Sequence, residues 1–330
     1  MKSIAFFNNK GGVGKTSLIY HLAWMYADLG QSVLLADLDP QSNLTAMCFR
    51  DDLLERIYEA PKPDTIFTAV EPVKRGIGDL HFFDPMSVTD GLAIVPGDLL
   101  LSDFEDELSA TWPRCVDRDE RAFRITAAFH RIIEDAGRRH QANIALIDVG
   151  PTFGALNRAA LIAADYVVIP VAPDLFSVRG LENVGGRLKS WRAEWEDRLS
   201  RAPSLDFSLP KGGMRPIGYV VSRHTEFADG VVRAYQKWIA KIPSAYRRAV
   251  ENPGVPDDAL LLGRLKDYRS LIAMAQDARK PMFKLRPGDG AIGGHQGAVS
   301  AAYDDFERLA RAIADRIELP IDGVLLPVRG

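Results

Sequence analysis

The sequence predicts an α/β fold, a doubly wound, mainly parallel β-sheet flanked by helices. Short, wholly apolar runs with the character of strands buried on both faces alternate with longer stretches of helical spacing. Two of those runs end in aspartates, at Asp37 and Asp39 and at Asp148, and acids at strand ends mark the ligand crevice of an open α/β sheet. With 330 residues, 47% of them apolar and 26% charged, the chain can fill a sizeable core, which excludes disorder as its dominant state.

Taken in order, residues 3–7 read as a buried strand and residues 11–14 as a glycine-rich turn. Residues 16–28 read as a helix with Leu18, Leu22 and Met25 at helical spacing and Gly30 beyond its end. Residues 32–36 and 143–147 are the strands that run into the acids, and 92–95, 166–171 and 217–222 are further strands. Helical patterns occupy 98–109, 121–136, 154–164 and 178–199, and residues 298–317 form a closing helix. Proline and glycine place loops at 61–63, 208–216 and 252–256. With no internal repeat and no long linker, residues 1–330 are expected to form a single domain.

A formal charge of −3 gives no global field that announces a polyanionic partner, but the average hides an asymmetry. Residues 1–110 carry 8 basic and 17 acidic side chains, residues 111–330 carry 33 and 27, and residues 211–286 alone carry 15 and 7, so a polyanion would meet the C-terminal half. Cys48 and Cys115 stand far apart without C-x-x-C spacing, which argues against a disulfide framework, a zinc knuckle or an iron–sulfur cluster within one chain. No apolar run approaches the roughly 18 residues of a membrane span. A soluble, cytoplasmic protein is expected.

Lys10-Gly11-Gly12-Val13-Gly14-Lys15-Thr16-Ser17 lies between a predicted strand and a predicted helix, where backbone N–H groups and the helix dipole can hold phosphate oxygens. Lys15 is expected to face solvent and reach the β- and γ-phosphates, and the Thr16 hydroxyl to ligate Mg²⁺. The usual P-loop pattern has glycine where this chain has Asn9, and a second lysine, Lys10, stands beside it.

This loop resembles that of the ParA/MinD family of deviant-Walker-A ATPases. The likeness continues in Asp37-Leu38-Asp39-Pro40-Gln41-Ser42-Asn43, which is similar to the family's switch I, and in the strand ending at Asp148, which resembles its Walker B strand. It extends through residues 164–181 and, more weakly, through 265–287. The resemblance implies ATP and Mg²⁺ as cofactors and a nucleotide-sandwich dimer. In it Lys10 would cross to the partner's phosphates and Gly11 would let the two loops approach. Asp39 would orient the hydrolytic water, and Asp37 and Asp148 would hold Mg²⁺ and its waters.

Three positions depart from the family pattern. Ser42 and Gly150 replace a glycine and a proline, and the asparagine of the helix after switch II falls at Ala159. Gly150 is expected to loosen switch II. These changes bear on hydrolysis rate and partner coupling rather than on nucleotide binding.

Arg223, at the end of a late strand, is a candidate border of the adenine or a solvated strand-end arginine. Arg233, Lys237 and Lys241 fall at i, i+4 and i+8, one stripe of a helix, with Arg247 and Arg248 following. The stripe reads as a DNA-phosphate track or as a solvated face. Lys280, Lys284 and Arg286 form a weaker second candidate.

The resemblance therefore implies a weak, partner-stimulated ATP hydrolase. Its ATP-bound homodimer would bind DNA non-specifically on the nucleoid and answer to a ParB-like or other partner, positioning plasmid, chromosome or other cargo. The alternatives are a MinD-like membrane switch, disfavoured because the end of the chain is broken by Pro320, Gly323 and Pro327 and is hardly basic, and a regulator acting through a protein without DNA.

Overall fold

The structure, a computed structural model, describes residues 1–224, 226–227, 230–231, 233–250, 259–268 and 270–321, with the backbone alone at 223–224, 226–227, 230–231 and 233–235. The predicted loop at 252–256 and the end of the chain at 322–330 lie outside the described residues, as do the side chains of Arg223 and Arg233.

The first half runs β1 (Lys2–Phe6), α1 (Lys15–Asp28), β2 (Val33–Leu38), α2 (Asn43–Cys48), α3 (Asp51–Tyr58), α4 (Ile66–Arg75), β3 (Met86–Thr89), β4 (Leu92–Val95), α5 (Glu105–Thr111), α6 (Glu120–Thr126), α7 (Ala128–His140) and β5 (Ile144–Val149). The second half runs α8 (Ala155–Ile162), β6 (Tyr166–Val171), α9 (Leu175–Ser200), β7 (Arg215–His224), β8 (Glu226–Phe227), β9 (Gly230–Val231), α10 (Arg233–Ile239), α11 (Ile242–Ala249), β10 (Leu261–Lys266), α12 (Ser270–Ala278) and α13 (Gly294–Ile317).

Eight strands form one sheet in the order β10-β7-β6-β1-β5-β2-β4-β3, all parallel except the β3–β4 edge hairpin. Alternation along the central strands divides the core. Ile4, Phe6, Val33, Leu35, Ile144 and Leu146 face one layer, packed by α1 and α13, whereas Ala5, Leu34, Ala36, Ala145 and Ile147 face the other, packed by α7, α8 and α9. With helices on both faces, the strands are buried on both sides, which is why they read as continuous apolar runs. The crossover from β1 leads to β2 on one side and that from β5 leads to β6 on the other. The crevice beyond the carboxyl ends of β1 and β5 is thus the topological switch point.

Two predicted helices are divided. Residues 99–104 form a 3-10 segment before α5, and the helix expected at 121–136 is broken at Ala127 into α6 and α7. The basic helix is divided as well, for α10 ends at Ile239 and Lys241 is the N-cap of α11. Pro243 sits in the first turn of α11, where its missing N–H costs nothing, whereas inside a continuous helix it would remove a bond and press its ring on the carbonyl four residues earlier. The stripe of Arg233, Lys237 and Lys241 is therefore not a single helical face. In the second basic candidate, Lys280 pairs with Asp289 at 2.8 Å, and Lys284 with Asp28 at 2.5 Å.

Candidate active site

Between β1 and α1 the chain turns through Gly12 (φ 73°) and Gly14 (φ 82°), left-handed conformations that side-chain-bearing residues resist. The loop is anchored from two strands, β6 and β7, and braced within itself. Asn8 Nδ2 donates to the Pro170 carbonyl (2.6 Å), Asn8 Oδ1 accepts from the Lys10 N–H (3.0 Å), and Ser222 Oγ on β7 donates to the Val13 carbonyl (2.6 Å). α1 starts at Lys15 with no side-chain cap and no acid in its first turn, so its N-terminal N–H groups and the positive end of its dipole point into the crevice.

Lys15 is not solvent-facing as expected. It is 8% exposed and donates from Nζ to Oδ1 of the fully buried Asp148 at 2.6 Å. β5 ends beside the loop, and an ionised carboxylate there needs a cation to offset its desolvation. Asp37 lies directly opposite Asp148 across the β2–β5 pairing and is also fully buried. Its Oδ2 accepts from the Thr45 N–H (2.9 Å) and hydroxyl (2.7 Å), which ties switch I to α2. Burial, and then the charge of Asp148, push the Asp37 carboxyl up to about 7.

Oδ1 of Asp37 and Oδ2 of Asp148 are buried without a hydrogen-bond partner. Two orphaned buried carboxylate oxygens, one on the carboxylate that Lys15 holds, fit a hard divalent cation. Among the described residues no group of three or more His, Cys, Asp or Glu could hold a metal.

Asp39 is 7% exposed and its Oδ1 accepts from the Gln41 N–H (3.0 Å). A Cβ built on Gly150 would lie 3.5 Å from that same oxygen, so the two switch segments touch. Ser42 holds φ 51°, the left-handed backbone to which glycine is better suited.

Switch II is held more firmly than its glycine predicts. Asn157 on α8 donates to the carbonyls of Gly150 and Thr152, each at 2.7 Å, and Glu105 on α5 accepts from the N–H groups of Ala155 (2.5 Å) and Leu156 (2.7 Å), capping α8. Ala159, where the family asparagine falls, packs in the core, and Asn157 lies two residues before it on the same helix.

Lys10 pairs with Asp174, the N-cap of α9, and both are about one-third exposed. Against the burial that would raise it, hydrogen bonds from Lys10 and Ser177 hold the Asp174 carboxyl below its usual range. Gly11 is exposed, and a Cβ built there would meet nothing among the described residues within 4 Å.

Residues 10–17, Asp39, Gln41, Asn43, Met47, Gln276 and Arg279 are among those lining a cavity of about 530 Å³. The structure thus brings together the predicted loop residues, Asp39, Asp37 and Asp148. Asn157, Glu105, Asp174 and Arg279 join them from elements that no local motif connects to the loop. Lys237, Lys241, Arg247 and Arg248 lie outside this cavity and are exposed, with the Lys237 and Lys241 ammonium groups 5.4 and 4.9 Å from the ring centre of Trp238.

The AAA domain family AAA_31 matches residues 1–200. A ParA family protein of the virulence plasmid of Chlamydia psittaci is 29% identical over 185 residues, covering 56% of this chain and 62% of that protein. The sporulation initiation inhibitor Soj of Bacillus subtilis is 30% identical over 185 residues, covering 56% and 63%. The matched stretch spans about half to two thirds of the curated relatives' own length. Among solved structures, protein DIP2308 of Corynebacterium diphtheriae superposes with a TM-score of 0.70 at 22% identity, covering 96% of this chain and 99% of that one. McdA of Cyanothece, in a complex with ATP, gives 0.63 at 14% identity, covering 97% of each chain. At these identities the two structures are similar in fold.

Proposed function

The chain belongs to the AAA_31 family and to the ParA/MinD group of P-loop ATPases, and on that premise we propose that it is a ParA-like switch driven by ATP. ATP binding forms a sandwich dimer, and the dimer holds DNA without sequence preference. Slow hydrolysis, stimulated by a ParB-like or other partner protein, releases the dimer, so that plasmid, chromosome or other cargo is positioned on the nucleoid. We read residues 1–330 as one domain, acting in the cytoplasm.

The observation that carries this reading is the buried Lys15–Asp148 pair, set against the uncapped start of α1 with orphaned carboxylate oxygens beside it. A polyphosphate gives Lys15 a stronger partner than one carboxylate, and the N–H groups of residues 10–16 complete the phosphate cradle. Thr16, Asp37 and Asp148 would hold Mg²⁺, which offsets charge on the β- and γ-phosphates. Asp39, against switch II, orients the attacking water. Lys10 exchanges Asp174 for the partner's phosphates. Its present pair is partly exposed and worth at most about 1 kcal/mol, so the exchange is cheap.

The test separates binding from chemistry. Asp39→Ala should bind ATP and Mg²⁺ as wild type does, measured by calorimetry, and lose at least about 100-fold in phosphate release, since the positioning of one reactant is what it removes. Normal turnover in that variant contradicts the role of Asp39, and wild type that binds no ATP contradicts the reading as a whole.

A further inference from the structure

Besides the phosphate loop, the cavity lining includes Ala46 and Met47 on α2 and Gln276 and Arg279 at the end of α12, and Arg279 bonds across to Ala46. None of these four comes from the phosphate loop or from the strand-end acids. With the phosphates on residues 10–17, these four are among the lining residues left to border the rest of a bound nucleotide.

Arg279 stands in an unusual backbone position. The Lys280 N–H bonds the Ala275 carbonyl at 3.1 Å and the Arg279 N–H bonds that of Gln276 at 3.2 Å, the two bonds of a Schellman motif whose left-handed position is normally glycine. Arg279 occupies it at φ 50°. A conformation disfavoured for any side-chain-bearing residue persists where the surroundings over-determine it.

Here the guanidinium supplies the constraint. Nη1 donates to the Ala46 carbonyl at 2.7 Å, and Nη2 to Asp51 Oδ1 at 2.8 Å. Ala46 is among the last residues of α2, so its carbonyl has no helical partner and lies at the negative end of the helix. The same short helix is gripped at Thr45 by Asp37. Arg279 therefore holds the far end of a helix whose near end is tied to the Mg²⁺-side acid.

We propose that Arg279 is a positioning residue for the adenosine end of the nucleotide, clamping α2 to α12 so that the wall of Met47 and Gln276 keeps its shape. The proposal rests on the nucleotide reading above. Asp51 is 82% exposed, so its share of the clamp is small and the Ala46 carbonyl is the bond that counts.

Arg279→Gly tests it without backbone penalty, because glycine is at home in this turn. The variant should melt no lower than wild type. Its ATP affinity by fluorescence titration should fall about tenfold, as expected when one charge-assisted hydrogen bond is removed, while its affinity for inorganic tripolyphosphate is unchanged. Arg279→Lys should recover part of the ATP affinity, since an ammonium can still reach one acceptor. Arg279→Gly with ATP affinity within about twofold of wild type overturns the proposal. Parallel losses for ATP and tripolyphosphate also overturn it, because they mark a general disturbance of the loop. Wild type binding tripolyphosphate but not ATP would overturn both the clamp and the nucleotide reading.

Discussion

Lys15 serves two masters, and its removal should show both. Lys15→Ala removes the cation we propose to reach phosphate and leaves Asp148 buried beside Asp37 with no counter-charge. Breaking a buried pair from one side costs about 3–5 kcal/mol, so the variant should lose ATP binding and also unfold at lower denaturant. Adding Asp148→Asn to Lys15→Ala should restore much of the stability but none of the ATP affinity; recovery of neither in urea melts and calorimetry contradicts the pairing. Asp37 supplies a pH signature. Its folded pKa of about 7 lies above the unfolded value, so the fold is favoured most by this group below about 4 and that contribution is lost as pH rises through 7. Mg²⁺ requires the ionised form, so Mg²⁺-dependent ATP binding should strengthen from pH 6 to 8 with proton release, and Asp37→Asn should flatten the profile. A wild-type profile as flat as the variant's would contradict the assignment. At this scale the loop and the strand-end acids were legible because local spacing spells them out. The contacts of Asp174 and Arg279 were not, although both lie in stretches that resemble the family, since Lys10 and Asp174 are 164 residues apart and Ala46 and Arg279 are 233 apart.

Strands were the most legible elements, since a doubly covered sheet writes them as unbroken apolar runs between turn residues. Short amphipathic helices were not. α3 shows 1 buried residue in 8, and α4 contains Pro72, which reads as a breaker yet is tolerated there. β3 escaped notice because it is a half-exposed edge strand of four residues. The basic stripe looked continuous because i, i+4 spacing is blind to a proline two residues further on. Its division into α10 and α11 leaves Lys237 and Lys241 about the ring of Trp238, with Arg247 and Arg248 on the second helix. If these four bind DNA phosphates, Lys237→Ala with Lys241→Ala should weaken binding equally on unrelated duplexes. The slope of log K against log salt should become shallower by about 0.9 for each phosphate that is no longer neutralised. An unchanged affinity and slope, with dimerisation intact, would place the DNA surface elsewhere.

Across the whole molecule, charge and topology are arranged around one crevice. The acidic N-terminal third supplies the loop, switch I and their acids, and the more basic remainder supplies switch II, Asp174, the α12 wall and the exposed cations of α10 and α11. Among the described residues nothing crowds Gly11, and Lys10 rests on a partly exposed carboxylate of its own chain, so both are accessible to a second copy. The central claim is that ATP joins two such copies through Lys10. Light scattering coupled to size exclusion tests it most directly, using Asp39→Ala to preserve ATP during the run. With ATP and Mg²⁺ the mass should rise from 36.4 kDa to twice that value and return on nucleotide removal, while Lys10→Ala in the same background binds ATP yet stays at 36.4 kDa. A single 36.4 kDa species for both proteins, or an equally complete dimer without Lys10, would contradict the account.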